Sequence, residues 1–181
     1  SSDDTPKRVQ RLCAKARQPI RPELMKSLGI ESVNLQVGAV CVYHTFVNKA
    51  VTALKDTNIP VAAVAAGFPH GLSPISAKLN EIRVSVEEGA QEIDIVISRH
   101  HVLTRNWTAL YDEVAAFKEA CGEAHLKTIL GTGDLGTFRN VAKASWVCLM
   151  AGADFIKTST GKEAVNATLP VTLVMLRVLR D

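Results

Sequence analysis

Short apolar runs alternate along the chain with longer segments of helical periodicity. The runs are VGAVCVY (37–43), VAAVAAG (61–67), EIDIVIS (92–98), HLKTIL (125–130) and DFIKTST (154–160). Each run is nearly continuous in apolar residues, which is typical of parallel strands covered on both faces. The pattern therefore predicts parallel strands joined by helices.

Capping signals mark the helices between these runs. Ser73 is predicted to cap a helix that has Pro74 at its first position. Asn106 is predicted to cap the next helix, which ends at Gly122. A third helix is predicted from about Thr137 to Ala151. Strand, helix and strand thus follow one another in sequence order.

The spacing of the repeat indicates the fold class. Asp94, Lys127 and Lys157 occupy similar places in consecutive runs and recur about every 30 residues, which accommodates one strand, one helix and two loops. Such repetition predicts an α/β fold of the (β/α)8, or TIM, barrel type within a single domain over residues 1–181. A complete barrel takes about 250 residues. We therefore expect an incomplete barrel of about five parallel strands, with a smaller open α/β sheet as the alternative.

Composition narrows the class of partner. The 21 basic and 18 acidic residues are spread along the chain and give a net charge of +3, so neither nucleic acid nor a membrane surface is an expected partner. No run approaches the roughly 18 apolar residues of a membrane-spanning helix. The four cysteines form no CxxC pair, which favours a reduced, cytoplasmic location. Cys41 is expected to be a small buried cysteine.

Three ionisable side chains interrupt strands that should be apolar: Asp94, Lys127 and Lys157. An unpaired buried charge costs several kcal/mol in practice, so each needs a partner or a polar cavity. Their occurrence on consecutive strands predicts one shared cavity, in which a carboxylate lies between two ammonium groups. A structural ion-pair network is the alternative.

Imine chemistry suits this trio. A lysine attacks a carbonyl only as the free amine, which burial or a nearby cation favours, and Lys127 would support Lys157 in this way. Asp94 could move the protons of the later steps through a water molecule. The expected reaction class is Schiff-base aldol cleavage or condensation, for which no cofactor is expected.

The segment TSTGKE follows the last of these lysines. Thr160, Gly161 and Lys162 offer hydroxyl, backbone N–H and ammonium groups to a phosphate. The segment is not a P-loop, because Ile156 and Glu163 stand where that motif requires glycine and Ser or Thr. An ordinary solvated turn is the alternative.

Histidines raise the alternative of a metal-dependent aldolase. His44 and His70 follow strand ends, and His100 and His101 are adjacent in a segment expected to be extended. Adjacent residues on an extended segment point to opposite sides, and no HxH or HxxxH spacing is present. No metal site is therefore expected.

Four stretches together resemble the deoxyribose-phosphate aldolases, class I aldolases with a (β/α)8 fold: VAAVAAGFPHG, EIDIVIS, EAHLKTILGTGDL and AGADFIKTSTGKE. The resemblance implies reversible cleavage of 2-deoxy-D-ribose 5-phosphate to D-glyceraldehyde 3-phosphate and acetaldehyde, in deoxyribonucleotide catabolism. It makes Lys157 the Schiff-base nucleophile and Asp94 the proton donor and acceptor. It also places Lys127 near the site and Gly161 with Lys162 in the phosphate-side turn.

The sequence departs from the family pattern at both ends. The family's first strand is expected before Ser1, and its last two strands, with a second active-site lysine in a KPAGG motif, after Asp181. We therefore expect a truncated product or a chain that completes its core with another copy, a homo-oligomer. A catalytically silent relative that binds sugar phosphate or another subunit is the alternative function.

Overall fold

A computed structural model describes residues 3–33 and 35–180. A single sheet contains five parallel strands, which lie side by side in the order in which they occur in the chain. They are β1 (Val40–Tyr43), β2 (Val61–Ala65), β3 (Glu92–Val96), β4 (His125–Ile129) and β5 (Phe155–Lys157). Each strand lies inside one of the apolar runs, so the prediction of an α/β fold with about five parallel strands is confirmed.

Helices precede, connect and follow the strands. They are α1 (Pro6–Arg17), α2 (Pro22–Ser27), α3 (Val47–Leu54), α4 (Ile75–Glu87), α5 (Arg99–Leu103), α6 (Trp107–Cys121), α7 (Phe138–Met150) and α8 (Leu169–Arg180). Short 3-10 turns, His44–Phe46 and Thr132–Asp134, follow β1 and β4. In the described part of the chain, no helix has the length and apolar character needed to cross a membrane.

Two of the three predicted helix starts are confirmed. The side chain of Asn106 accepts a hydrogen bond from the backbone N–H of Ala109 and caps α6, and Thr137 caps α7 in the same way. The prediction for Ser73 is wrong. Pro74 itself occupies the N-cap of α4, with an extended backbone that proline tolerates. The helix therefore begins at Ile75, one residue later than expected.

The two faces of the sheet differ in chemistry. Successive side chains of a strand point to opposite faces, and in β3 both Ile93 and Ile95 are fully buried in the core beneath the helices. Asp94 and Val96 point to the other face. The same alternation in β4 places Leu126 in the helix-covered core and Lys127 on the face of Asp94. The polar face of the sheet therefore carries the charged strand residues.

A buried polar network ties two helices to the end of β3. Lys78 of α4 donates to Glu113 of α6 at 2.9 Å and to the hydroxyl of Ser98 at 2.7 Å. The hydroxyl and the backbone N–H of Ser98 both donate to the Glu113 carboxylate. Because a buried charge is tolerated only when it is paired and hydrogen-bonded, these contacts fix where the chain leaves β3.

Candidate active site

Asp94 lies at the centre of the polar face and is only 1% exposed. Its Oδ2 forms an ion pair with Nζ of Lys157, and its Oδ1 lies 3.6 Å from Nζ of Lys127. The structure thus brings together the three strand residues that the sequence singled out. A carboxylate between two ammonium groups is the expected arrangement, and the catalytic roles stay predictions.

Strand register explains this convergence. Asp94 pairs with Lys127 across β3 and β4, and Ile129 pairs with Lys157 across β4 and β5. Lys127 and Ile129 are two residues apart, so both point to the same face as Asp94 and Lys157. Lys157 therefore sits closer to the carboxyl ends of the strands, where the cavity opens.

Glu92 is a site residue that the sequence analysis missed. Its Oε2 forms an ion pair with Nζ of Lys127, and both side chains are largely buried. Burial alone would lower the pKa of Lys127, but the hydrogen bond that Lys127 donates to Glu92 and the charges of Asp94 and Glu92 raise it overall. Lys127 is therefore held as an ammonium ion. The signal was present in EIDIVIS, where Glu92 and Asp94 share a face.

One oxygen of Asp94 is left free to accept. Among the described residues, Oδ1 of Asp94 is buried and has no hydrogen-bond partner. Lys127 lies just beyond hydrogen-bond distance because Glu92 holds its ammonium group. Buried carboxylate oxygens normally accept hydrogen bonds. Oδ1 is thus the atom of this site best placed to receive a proton or a water molecule.

Cys41 contradicts its prediction. It is exposed, not buried, and its Sγ lies 3.9 Å from Oδ2 of Asp94. The surrounding cavity wall displaces water from the thiol, and this desolvation, with the Asp94 carboxylate, raises the pKa to about 11. Cys41 is therefore a protonated thiol at neutral pH.

Lys157 lines a cavity of about 230 Å³. Other residues of its lining are Cys41, Tyr43, Phe68, Thr160 and Lys162. The side chain of Lys157 is 39% exposed, so a small carbonyl compound can reach its Nζ. The cavity wall also carries the aromatic rings of Tyr43 and Phe68, which pack edge to face. The cavity thus combines an accessible amine with an apolar wall.

The turn after β5 borders the same cavity. Thr160 and Lys162 line it, while Gly161 between them has a φ of 82°, which glycine adopts without strain. The backbone N–H and hydroxyl of Thr160 donate to the Glu163 carboxylate. The three residues predicted to contact a phosphate therefore lie at the cavity rim, and their phosphate role stays a prediction.

The histidines are not arranged as a metal site. Among residues 3–33 and 35–180, no three His, Cys, Asp or Glu side chains lie close enough together to hold a metal ion. His100 and His101 lie in α5, not in an extended segment, and their rings contact each other with centroids 4.1 Å apart. The expectation that these two histidines lie on an extended segment is therefore wrong, because they occupy one turn of a helix.

Comparison with known proteins assigns the family. Residues 5–181 match the model of the DeoC/LacD family of aldolases. The human and mouse deoxyribose-phosphate aldolases are each 60% identical to the chain over its whole length, and the chain covers 58% of each. It thus spans less than two thirds of these curated relatives.

The fold also matches a solved structure. The crystal structure of a putative deoxyribose-phosphate aldolase from Coccidioides immitis superposes with a TM-score of 0.86 at 27% identity. The superposition covers 99% of this chain and 64% of the other. The family match extends over nearly the whole sequence, and the fold agrees with it. The chain belongs to the DeoC/LacD family of aldolases.

Proposed function

We propose that the chain is a class I aldolase that cleaves 2-deoxy-D-ribose 5-phosphate reversibly to D-glyceraldehyde 3-phosphate and acetaldehyde, in deoxyribonucleotide catabolism. The observation that carries the proposal is the accessible Lys157 amine paired with the buried carboxylate of Asp94. The names of the human and mouse relatives support the choice of substrate. No cofactor enters the reaction.

Lys157 supplies the nucleophile. Transfer of a proton from its ammonium group to Asp94 leaves the free amine, which attacks the C1 aldehyde of the open-chain sugar. The carbinolamine that forms takes a proton and loses water, leaving an iminium ion on Nζ. The direct ion pair supports this step because the proton moves within one contact.

Asp94 handles the remaining protons. As a carboxylate it takes the proton of the C3 hydroxyl, directly or through water. The C2–C3 bond breaks, its electrons flow into the iminium ion, and D-glyceraldehyde 3-phosphate leaves. The enamine that remains on Lys157 is protonated at C2, and water then releases acetaldehyde and the free lysine. The unpartnered Oδ1 supports this role.

Lys127 acts as a fixed positive charge in this proposal. Its pKa is raised by its carboxylate partners against the effect of burial, so it stays charged while protons move at Asp94 and Lys157. Its charge lies 3.6 Å from Oδ1 of Asp94, so it attracts that side chain electrostatically without bonding to it directly. Lys127 thereby supports the proton relay without exchanging its own proton.

The turn at the cavity rim would hold the substrate phosphate. Lys162 supplies positive charge and Gly161 a backbone that can approach a phosphate closely, while Thr160, whose hydroxyl donates to Glu163, lines the cavity beside them. A phosphate held there would place the other end of a five-carbon sugar toward Lys157. The shared cavity lining supports this orientation.

Sodium borohydride reduction tests the proposal. The chain is incubated with acetaldehyde or deoxyribose 5-phosphate, reduced, digested and mapped by mass spectrometry. Covalent mass on Lys157 is expected, and Lys157→Met should abolish it, whereas Lys49→Met, a change on helix α3, should not. An absence of adduct on every lysine would remove the enzyme claim. Calorimetric binding of the sugar phosphate without an adduct would favour the silent relative.

We also propose a cytoplasmic location. Cys13, Cys41, Cys121 and Cys148 are all free thiols in the described structure, which fits a reducing compartment. Fractionation of cells that express the chain with an epitope tag would test this, and recovery in a secreted fraction would contradict it.

We also propose that copies of this chain associate with one another, on the basis of exposed apolar side chains. Large apolar side chains are exposed on and beside helix α8, among them Leu169 (88%), Met150 (69%) and Leu176 (56%). Exposed apolar patches of this kind often mark interaction surfaces. Light scattering coupled to size exclusion should give a mass above the 19.5 kDa of one chain, and a monomer would overturn the proposal.

A further inference from the structure

We infer that Arg99 and Glu163 are positioning residues that hold the Thr160–Lys162 turn, and so set the preference for phosphorylated over unphosphorylated sugar. The inference rests on the proposed function. Neither residue was identified from the sequence, where Glu163 served only to exclude a P-loop.

Arg99 contacts three loops at once. It begins helix α5 after β3, and its Nη1 donates to Oδ2 of Asp134 at 2.6 Å. Its Nη2 donates to the carbonyl of His70 at 3.3 Å, and its Nη1 lies 3.7 Å from Oε1 of Glu163. These partners follow β2, β4 and β5. One guanidinium group therefore joins the loops around the cavity.

The path of Arg99 requires a glycine. A Cβ built on Gly131 would lie 2.8 Å from Nη1 and 2.9 Å from Cδ of Arg99, closer than side chains pack. Gly131 also has a φ of +65°, which disfavours other residues. The Arg99 side chain thus crosses the backbone after β4 through space that is open because Gly131 has no side chain.

Glu163 closes the turn itself. Its carboxylate accepts from the backbone N–H of Thr160 at 3.0 Å and from the Thr160 hydroxyl at 2.6 Å. The backbone N–H of Lys162 in turn donates to the same hydroxyl at 3.1 Å. The carboxylate thereby fixes the residues on both sides of Gly161.

The charge of Glu163 is stable in this setting. Its side chain is only 6% exposed. Burial would raise the pKa of the carboxyl, but hydrogen bonds from the Thr160 hydroxyl and from backbone N–H groups lower it overall. The nearby Arg99 supplies the opposite charge that a buried carboxylate needs.

The contacts of Arg99 and Glu163 fit a role in positioning the turn, not in binding the phosphate directly. Arg99 is already paired with the carboxylates of Asp134 and Glu163, so its charge is neutralised locally. Arg99 and Glu163 line an adjoining cavity of about 140 Å³, which shares Thr160 and Lys162 with the cavity of Lys157. Both residues therefore act on the substrate through the turn.

The test compares two sugars. The rate at which borohydride traps an adduct on Lys157 is measured over a range of concentrations of 2-deoxyribose 5-phosphate and of 2-deoxyribose. The variants are Glu163→Gln and Arg99→Met, with Arg99→Lys as the conservative variant. Lys118→Met is the matched control, because it removes another ion pair, with Asp154 at 2.7 Å. Acetaldehyde trapping in the unmodified chain reports lysine reactivity without any phosphate.

We expect the ratio of the two rates to fall about tenfold in Glu163→Gln and in Arg99→Met, through weaker saturation by the phosphorylated sugar. Arg99→Lys should restore part of the ratio, and Lys118→Met should leave it unchanged. An equal loss of trapping rate for both sugars, or an unchanged ratio of the two rates, would overturn this inference but not the proposed function. Failure of the unmodified chain to form an acetaldehyde adduct would overturn the proposed function, and the inference with it.

Discussion

Lys157 of β5 and Asp94 of β3 form an ion pair across the intervening strand β4. The carboxylate is buried, whereas the lysine side chain is 39% exposed. The pair thus places a buried carboxylate beside an amine that a small carbonyl compound can reach.

Asp94→Asn should lower the rate of aldol cleavage by about 10²–10⁴-fold, the range typical for loss of a general acid or base. The amide keeps the shape of the side chain but cannot take the C3 hydroxyl proton. Coupled detection of glyceraldehyde 3-phosphate measures the rate. Asp112→Asn on helix α6 serves as the control. Full activity in Asp94→Asn would exclude Asp94 as the proton acceptor.

Cys41 should react slowly with iodoacetamide at pH 7 although it is exposed. The pKa of about 11 leaves little thiolate at neutral pH. The labelling rate, followed by mass spectrometry, should rise steeply as the pH approaches that value. Asp94→Asn should increase the rate at pH 8, since it removes a negative charge that raises the pKa. Labelling at the speed of an ordinary exposed thiol would contradict the assignment.

Glu92→Gln should destabilise the fold at pH 7 by about 1–3 kcal/mol, since it leaves Lys127 without its charged hydrogen-bond partner. Because the folded-state pKa of Lys127 lies above its ordinary value of 10.5, the stabilisation is present below that pH. It is lost as the pH rises through the folded-state value.

Urea unfolding at pH 7 and at about pH 11 measures this difference. The stability gap between the unmodified chain and Glu92→Gln should narrow at the higher pH. Glu88→Gln, at an exposed position after helix α4, is the control and should change neither value. A gap that stays constant with pH would show that Lys127 does not carry the effect.

Lys78→Met should destabilise the fold by about 3–5 kcal/mol, the usual cost when one partner of a buried ion pair is removed. The Glu113 carboxylate would lose a hydrogen bond and the positive charge paired with it. The double variant Lys78→Met/Glu113→Leu should be less destabilised than Lys78→Met, because no buried charge is left alone. Urea unfolding measures both, and additive losses would contradict the coupling.

The convergence of Asp94, Lys127 and Lys157 could be predicted because each interrupts an apolar run at a similar place. Adjacent parallel strands bring such positions close together on one face of the sheet, so the local pattern contained the information. The cap at Asn106 was predictable for the same reason, since it depends only on neighbouring residues. The prediction that Ser73 caps a helix failed because the helix begins after Pro74, one residue later than expected.

Exposure and long-range pairing could not be predicted. Cys41 was expected to be buried, yet it faces the cavity, because the face to which a strand residue points depends on how the sheet packs. The pairing of Lys78 with Glu113 joins residues 35 positions apart. It follows from the packing of α4 against α6, which local sequence does not specify.

The succession of strands and helices, and the charged residues that interrupt the strands, follow from the amino-acid sequence alone, because periodicity and capping are local properties. Two contacts required the folded chain: Glu92 holds Lys127 away from Asp94, and Arg99 reaches Glu163 across Gly131. Those contacts depend on strand register and on the approach of separate loops. Both are set by packing of the whole sheet and its helices.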